Sequence, residues 1–391
     1  MHFNELNPPE RLLLGPGPSN VNPRVLKALS SPLVGYMDPF YLKVMDETKE
    51  LLKYVFKTKN EFTFPVPGTG MAGMEASLCN VVEFGDEVIV CVNGFFGERI
   101  NELVLRIGGK PIRIEAGWGK IITKESVEEA LRKSNAKAIA IVHGETSTGI
   151  QQPIKELSKL AKTYDSLIIV DAVTSLTGCE LNIDAWGIDV CYSGTQKCLN
   201  CPPGLAPITL SDRAINIIQN RKTKIQSFYL DLQLISKYWS DARVYHHTGP
   251  ISMTYALREA LRIIHEEGIE NRLARHTRNS QAFIKGIEAM GLEMHAQEGY
   301  RLPSLNTVVI PKNVTDVNIR RMLFECFNIE IGGGLGLLKG KIWRVGLMGR
   351  NSTEKNVILL LEALERTLRK EGYQNKSSSG VGAAIDFYDS T

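Results

Sequence analysis

Cysteine is sparse and odd in number: seven in 391 residues, which excludes a simple paired disulfide framework. The seven are scattered through stretches with strand or helix patterning, which points to reduced thiols and a cytoplasmic setting. Cys198 and Cys201 form a C-x-x-C, but no second ligand pair accompanies them, so no metal is expected. Two small residues in a tight loop is one reading of that pair, and a redox role beside Lys197 is the other. Long apolar runs are missing as well. None approaches the ~18 residues that a membrane helix needs, so no membrane partner is expected. Charge of one sign is missing too: 46 Lys and Arg face 43 Asp and Glu, net +3. With no basic stripe, nucleic acid is not an expected partner. The first residues, Met1 to Glu5, lack the basic and apolar segments of a secretory signal, and Asp389-Ser390-Thr391 is not a peroxisomal address. What remains is an ordinary globular composition, 43% hydrophobic and 23% charged, long enough for a large core and two domains.

Along the chain, strand-like and helix-like stretches alternate. Glu87–Val92, Pro111–Ile114, Ala138–Val142 and Leu167–Val170 read as strands. Phe95–Ile107, Lys124–Lys133 and Ile154–Tyr164 read as the intervening helices. This alternation predicts an α/β fold, a mainly parallel sheet with helices on both faces, whose ligands sit at the carboxyl ends of strands. The expected division is an arm over residues 1–22, a large domain over 23–265, a smaller α+β unit over 266–372 and a tail over 373–391. The tail contains Lys-Ser-Ser-Ser-Gly-Val-Gly and is expected to be mobile. In the smaller unit, Thr315 is expected to cap a helix over Asp316–Phe327. Gly332–Gly336 reads as a hairpin corner, since no helix follows it.

The strand ends carry the chemistry. Asp171 closes Leu167–Val170, and the next strand, Val190–Ser193, exits into Gly194-Thr195-Gln196-Lys197 and then Asn200-Cys201-Pro202-Pro203-Gly204. A strand-end carboxylate beside a lysine on the next strand's exit turn suggests pyridoxal 5'-phosphate. The lysine would be its imine anchor and proton carrier, and the aspartate would hold the pyridine nitrogen protonated. A helix cap is the alternative for Asp171. Gly68-Thr69-Gly70-Met71 lies between a strand and a helix start, where free N–H groups cradle an anion such as the cofactor phosphate. Thr195 and Gln196 can bond the same end. With Gly73 the glycines also spell the G-x-G-x-x-G of a dinucleotide site. The acid expected about 20 residues on is absent, and Asn93 follows that strand instead. Phe96 reads as a plate stacked on the ring or as a core residue. His143 reads as a buried structural histidine. Arg344, inside the apolar strand Ile342–Gly346, needs an anion: a substrate carboxylate or an internal acid. Gly35 and Tyr36 lie in a turn-rich connector. His246 and His247 are adjacent, and on a strand they would face opposite ways, which argues against a shared ion.

Ser193-Gly-Thr-Gln-Lys197 followed by Asn200-x-Pro-Pro-Gly204 resembles the class V aminotransferases of fold type I, in the alanine–glyoxylate/serine–pyruvate branch. Gly15-Pro-Gly-Pro-Ser-Asn20, His143-Gly-Glu-x-Ser-Thr-Gly149 and Tyr245-His-His-Thr248 support the match, which runs from Gly15 to about Leu368. The resemblance implies that Thr146 bonds the cofactor's ring hydroxyl, although Glu145 and Ser147 are also polar enough. It implies that Gly35 and Tyr36 line the substrate pocket and that Arg344 grips the substrate. It further implies a homodimer with shared sites, Tyr245 and Thr248 reaching the neighbouring subunit's phosphate. The implied activity is ping-pong transamination from a small amino acid, alanine or serine, to glyoxylate or pyruvate. Thr69 and Met71 depart from the Ser-Gly-His of some relatives, and Phe96 from the Trp of several. 3-Hydroxykynurenine or 2-aminoethylphosphonate as donor, a lyase or desulfurase, and a non-catalytic binding protein are the alternatives.

Overall fold

The computed structural model of the protein describes residue 1, residues 3–374 and residues 379–391. A seven-stranded sheet forms its centre. In spatial order the strands are Phe62–Pro67, Leu205–Leu210, Val190–Tyr192, Leu167–Asp171, Ala138–Val142, Glu87–Val92 and Lys110–Glu115. Leu205–Leu210 runs antiparallel to both neighbours; the other pairings are parallel. The expected mainly parallel sheet is therefore present, and the strand boundaries read from sequence hold to within a residue.

The inner strands are apolar apart from Glu87, Asp171 and Thr209 because both faces are covered. Val88, Val90 and Val92 join one core cluster with Ala138, Ala140, Ile169 and Tyr192. Ile89 and Cys91 join the other with Ile139, Ile141, Ile168 and Val170. This alternation is the two-residue period of a strand. It fixes where Asp171 points: one residue past Val170, it shares a face with Ile169 and stands opposite Tyr192.

The long helix Ile251–Glu267 packs on Pro39–Phe56 and Pro23–Leu29 beside the large sheet. The next, Ile269–Ala289, turns away after Gly268 and packs on Glu354–Lys370. There a second core gathers Phe283, Ile287, Trp343, Leu360 and Leu364 around a three-stranded antiparallel sheet. Its order is Leu305–Val309, Ile342–Gly346, Gly332–Gly333. The hairpin is present, but Gly332–Gly333 is one of its strands, and its corner follows with a 3-10 turn over Gly336–Leu338. The N-terminal arm joins this unit: Leu12–Leu13 pairs in parallel with Ile329–Glu330. Among the described residues, no helix is long and apolar enough to cross a membrane.

Three expectations are corrected. The tail is helical over Gly380–Ser390 and packs against Ile269–Ala289. Ser379 caps it, and Tyr388 Oη donates to Asn279 Oδ1 at 2.7 Å. Small residues there permit close packing: a Cβ on Gly380 would stand 2.9 Å from Gly286 O. Residues 375–378 of the expected mobile segment lie outside the described residues. Thr315 occupies the N-cap position but makes no side-chain cap bond. His246 and His247 lie outside any strand, and their Nδ1 atoms are 2.8 Å apart, so the alternation argument does not apply to them.

Candidate active site

Six strands that run the same way end on one edge, and the antiparallel Leu205–Leu210 begins there: Leu205 is paired with Pro67. The glycine turn, Asp171 and the lysine turn are brought together by that arrangement. Gly68, at φ +129, donates its N–H to Gly204 O at 3.0 Å. Its φ favours glycine, and a Cβ there would meet Ala72 Cβ at 2.6 Å. The helix Gly70–Val81 follows, with Thr69 at its N-cap making no side-chain bond to it. Its first amides are left for another acceptor. Across from it, a Cβ on Gly70 would stand 3.0 Å from Val173 Cγ2 and 3.7 Å from Gly194 Cα. The two glycine backbones therefore border one space.

Asp171 is buried. Its Oδ1 accepts from Val173 N–H at 2.8 Å and its Oδ2 from Tyr192 Oη at 2.9 Å. Burial pushes the carboxyl up to about 7, against the pull of those two donors; Glu145 adds to the rise and Lys197 opposes it. Lys197 is partly buried, and its Nζ donates to Pro16 O. Burial lowers its amine to about 8, and Arg344 lowers it further, while Cys198 and Asp171 oppose. Arg344, 7% exposed, donates from Nε to Gly333 O at 2.7 Å. Among the described residues no carboxylate pairs with it; burial lowers it to about 10, with Glu145 opposing. The internal salt bridge considered for Arg344 is therefore not formed.

Glu145, fully buried, has a part that the sequence did not suggest. Its Oε2 accepts from Phe96 and Gly97 N–H at 3.0 and 3.2 Å, and its Oε1 from Ser147 N–H and Oγ at 3.0 and 2.6 Å. It thus caps the helix Phe95–Arg106 and fixes the backbone of Phe96. Phe96 itself is partly buried and lies edge-on to Phe95 at 5.8 Å. Gly94 makes room: a Cβ there would fall 2.3 Å from Glu145 Cγ. Thr146 is buried, 3.1 Å from Thr174 Oγ1. Thr195 Oγ1 is committed to Pro202 O at 2.6 Å and holds the turn together. His143 is buried against Ser175 Oγ at 2.9 Å, as its structural reading expects. Cys198 and Cys201 fall into different core clusters, so the C-x-x-C thiols diverge.

Gly35, Tyr36, Tyr245 and Thr248 form a separate surface group. Tyr36 and Tyr245 have ring centroids 5.2 Å apart, and Tyr245 Oη lies 3.4 Å from Thr248 Oγ1. Tyr245 is 56% exposed, and no hydrogen bond or ring contact among the described residues links the group to Asp171, Lys197 or Arg344.

The centre fits pyridoxal 5'-phosphate. Among the described residues Asp171 has no cation paired with it, Lys197 carries a lowered amine, and the helix at Gly70 opens on uncapped amides. A phosphate, a pyridinium and an amine-bearing anchor account for all of these.

A lysine, a strand-end aspartate and a glycine-bounded helix start on one edge of such a sheet define a fold type I transferase. The chain belongs to the class-V aminotransferases, whose family model matches residues 36–356. That family uses pyridoxal 5'-phosphate. The fold is similar to an alanine–glyoxylate aminotransferase from Nostoc sp., with TM-score 0.93 and 47% identity over 94% of this chain and 98% of that one. It is also similar to the ureidoglycine–glyoxylate aminotransferase of Bacillus subtilis, with TM-score 0.96 and 40% identity over 99% and 100% of the two chains. The alanine–glyoxylate aminotransferase of Drosophila melanogaster is 41% identical over 92% of this chain and 93% of its own.

Proposed function

We propose that this aminotransferase moves an amino group from a small amino acid, alanine or serine, to glyoxylate or pyruvate. One observation carries the reading. A lysine with a depressed amine and a buried carboxylate lie at the carboxyl edge of the large sheet, and a buried arginine from the small sheet acts on that lysine; among the described residues no ion pair takes up the carboxylate or the arginine. Gly68, Thr69, Gly70, Met71 and Gln196 would hold the cofactor phosphate, Phe96 its ring face, Thr146 its hydroxyl and Asp171 its ring nitrogen. Lys197 would be its covalent anchor. When bound, the cofactor supplies an electron sink for the charge left at the substrate Cα. Arg344 grips the substrate carboxylate with the two terminal nitrogens of its guanidinium. Lys197 Nζ would take the proton from the donor's Cα and, in the second half-reaction, deliver one to the carbon that becomes Cα of the new amino acid; the abstraction needs the neutral amine that burial favours. With alanine and glyoxylate the net products are pyruvate and glycine.

The arrangement of Tyr245 and Thr248 supports a homodimer in which each subunit completes the other's phosphate site, with Gly35 and Tyr36 at the pocket mouth. Tyr36, Met37, Phe40, Phe228, Tyr229 and Tyr245 are large, exposed and apolar or aromatic, a patch of the kind that marks an interface. The separate packing partners of the two long helices support division near residue 265. Seven unpaired thiols suit a cytoplasmic location. A second reading, with (S)-ureidoglycine as donor to glyoxylate, is favoured by the similarity to the Bacillus subtilis enzyme.

A donor panel with glyoxylate and then pyruvate, followed by borohydride reduction and peptide mapping, tests this. Alanine or serine turnover and a reduced cofactor on Lys197 are expected. No turnover with any donor, or a cofactor attached elsewhere, defeats the reading.

A further inference from the structure

We infer that Asn200 is a positioning residue for Lys197, tying the lysine turn both to the N-terminal arm and to the unit that carries Arg344. The inference rests on Lys197 being the reactive amine. Asn200 is 7% exposed and sits in the left-handed region at φ 62, which asparagine tolerates better than most residues. Its backbone N–H donates to Lys197 O at 3.0 Å. Its side chain uses both donors and its acceptor: Nδ2 donates to Ser19 Oγ at 2.8 Å and to Asn20 O at 2.7 Å, and Oδ1 accepts from Arg350 N–H at 2.8 Å.

Each tie leads to the reacting region. Ser19 bonds the lysine turn a second time, N–H to Gln196 O at 3.0 Å and Oγ to Lys197 O at 3.1 Å. Three residues earlier, Pro16 O accepts from Lys197 Nζ, and a Cβ on Gly17 would stand 2.7 Å from that nitrogen. The arm therefore lies directly against the amine. On the other side, Arg350 follows Gly349, whose N–H donates to buried His276 Nε2 at 2.9 Å. A Cβ on Gly349 would meet Asn200 Cγ at 2.7 Å. Four residues before Arg350, the strand of Arg344 ends at Gly346, whose N–H donates to Leu14 O in the arm at 2.9 Å. Arm, lysine turn and the unit of Arg344 are thus tied by hydrogen bonds, and Asn200, itself in the lysine turn, reaches the arm at Ser19 and Asn20 and the unit of Arg344 at Arg350 with its side chain.

The arm shields the amine with a neutral carbonyl. The charged or titratable groups facing Lys197 are Arg344, Cys198 and Asp171, and Glu145 faces Asp171 and Arg344 in turn. Loosening the arm admits water to Nζ, and its apparent pKa then rises towards the ordinary 10.5.

The test uses the full-length chain freed of cofactor. Lys197 is labelled with an amine-reactive anhydride across a pH series and quantified by mass spectrometry. Asn200→Gly keeps the left-handed backbone and removes the side-chain ties; Ser19→Ala removes the arm's side-chain bond. Both are expected to move the labelling midpoint up by about one pH unit. With pyridoxal phosphate restored, both are expected to lower kcat about tenfold while KM for the amino donor stays near wild type, since Arg344 is untouched. A wild-type labelling midpoint in both variants overturns the proposal. If Asn200→Gly does not fold, Ser19→Ala decides alone. A wild-type chain that fails to attach the cofactor at Lys197 would overturn the functional reading, and the labelling comparison would still stand.

Discussion

Tyr192 donates its hydroxyl to Asp171 Oδ2 at 2.9 Å across two neighbouring parallel strands, from the position paired with it in register. This donor favours the charged carboxylate against its burial. Tyr192→Phe keeps the ring against Gly73, whose added Cβ would lie 3.2 Å from Tyr192 Cβ, and removes only the donor. A hydrogen bond to a charged group is worth about 1.5–3 kcal/mol, so affinity for pyridoxal phosphate should fall roughly ten- to a hundredfold. A fluorescence titration measures this; unchanged affinity would exclude the assigned part of Tyr192.

Arg344→Lys keeps a charge but loses the planar fork, with Nε no longer held by Gly333 O. The expected loss is about a hundredfold in kcat/KM for the amino donor, with cofactor attachment unchanged. Steady-state kinetics beside an absorbance spectrum separates the two effects. Loss of cofactor binding instead would place Arg344 elsewhere in the mechanism.

Glu145→Gln tests the cap beneath Phe96. Glutamine has one acceptor oxygen where Glu145 uses two, so either the Phe96 and Gly97 amides or Ser147 loses its partner. A buried donor left unsatisfied costs about 1–3 kcal/mol. Urea unfolding should register that loss, and cofactor affinity should drop with it. A variant as stable as wild type would show that the cap is dispensable.

The frame of this centre was legible because it depends on local signals. Apolar runs of five or six residues, a strand-end Asp171, a turn with Lys197 and glycines opening a helix are each readable within about ten residues of sequence. Tyr192, Glu145, Ser19 and Asn200 were not given their parts because those parts depend on partners far away in the chain. Ser19 and Asn200 are 181 positions apart. Glu145 and Phe96 are 49 apart. The two-residue strand period, once the order of strands is known, would have placed Tyr192 on the face of Asp171. The tail helix was missed because Lys-Ser-Ser-Ser-Gly-Val-Gly lowers any propensity estimate, whereas the close approach to Gly286 requires a residue as small as Gly380.

His276 titrates at about 3, first because it is buried and then because Arg272 and Arg275 stand near it. Its ordinary value is 6.5, so below that pH the unfolded chain takes up a proton that the folded chain refuses. The folded state loses stability as pH falls from 6.5 towards 3, by at most about 1.4 kcal/mol per pH unit from this group. His276→Asn removes that dependence. Urea unfolding at pH 7 and pH 5 should show a smaller acid-induced drop in the variant than in wild type. Equal drops would contradict the buried neutral ring.

The chain segment that bears Lys197 enters from Val190–Tyr192 and leaves into Leu205–Leu210, two strands bonded to each other. Like a handle riveted at both feet, it has no free end about which to swing. The amine can travel only as far as rotation within its own methylenes carries it. On the proposed role of Lys197, the substrate is delivered to within one side chain's length of a stationary post.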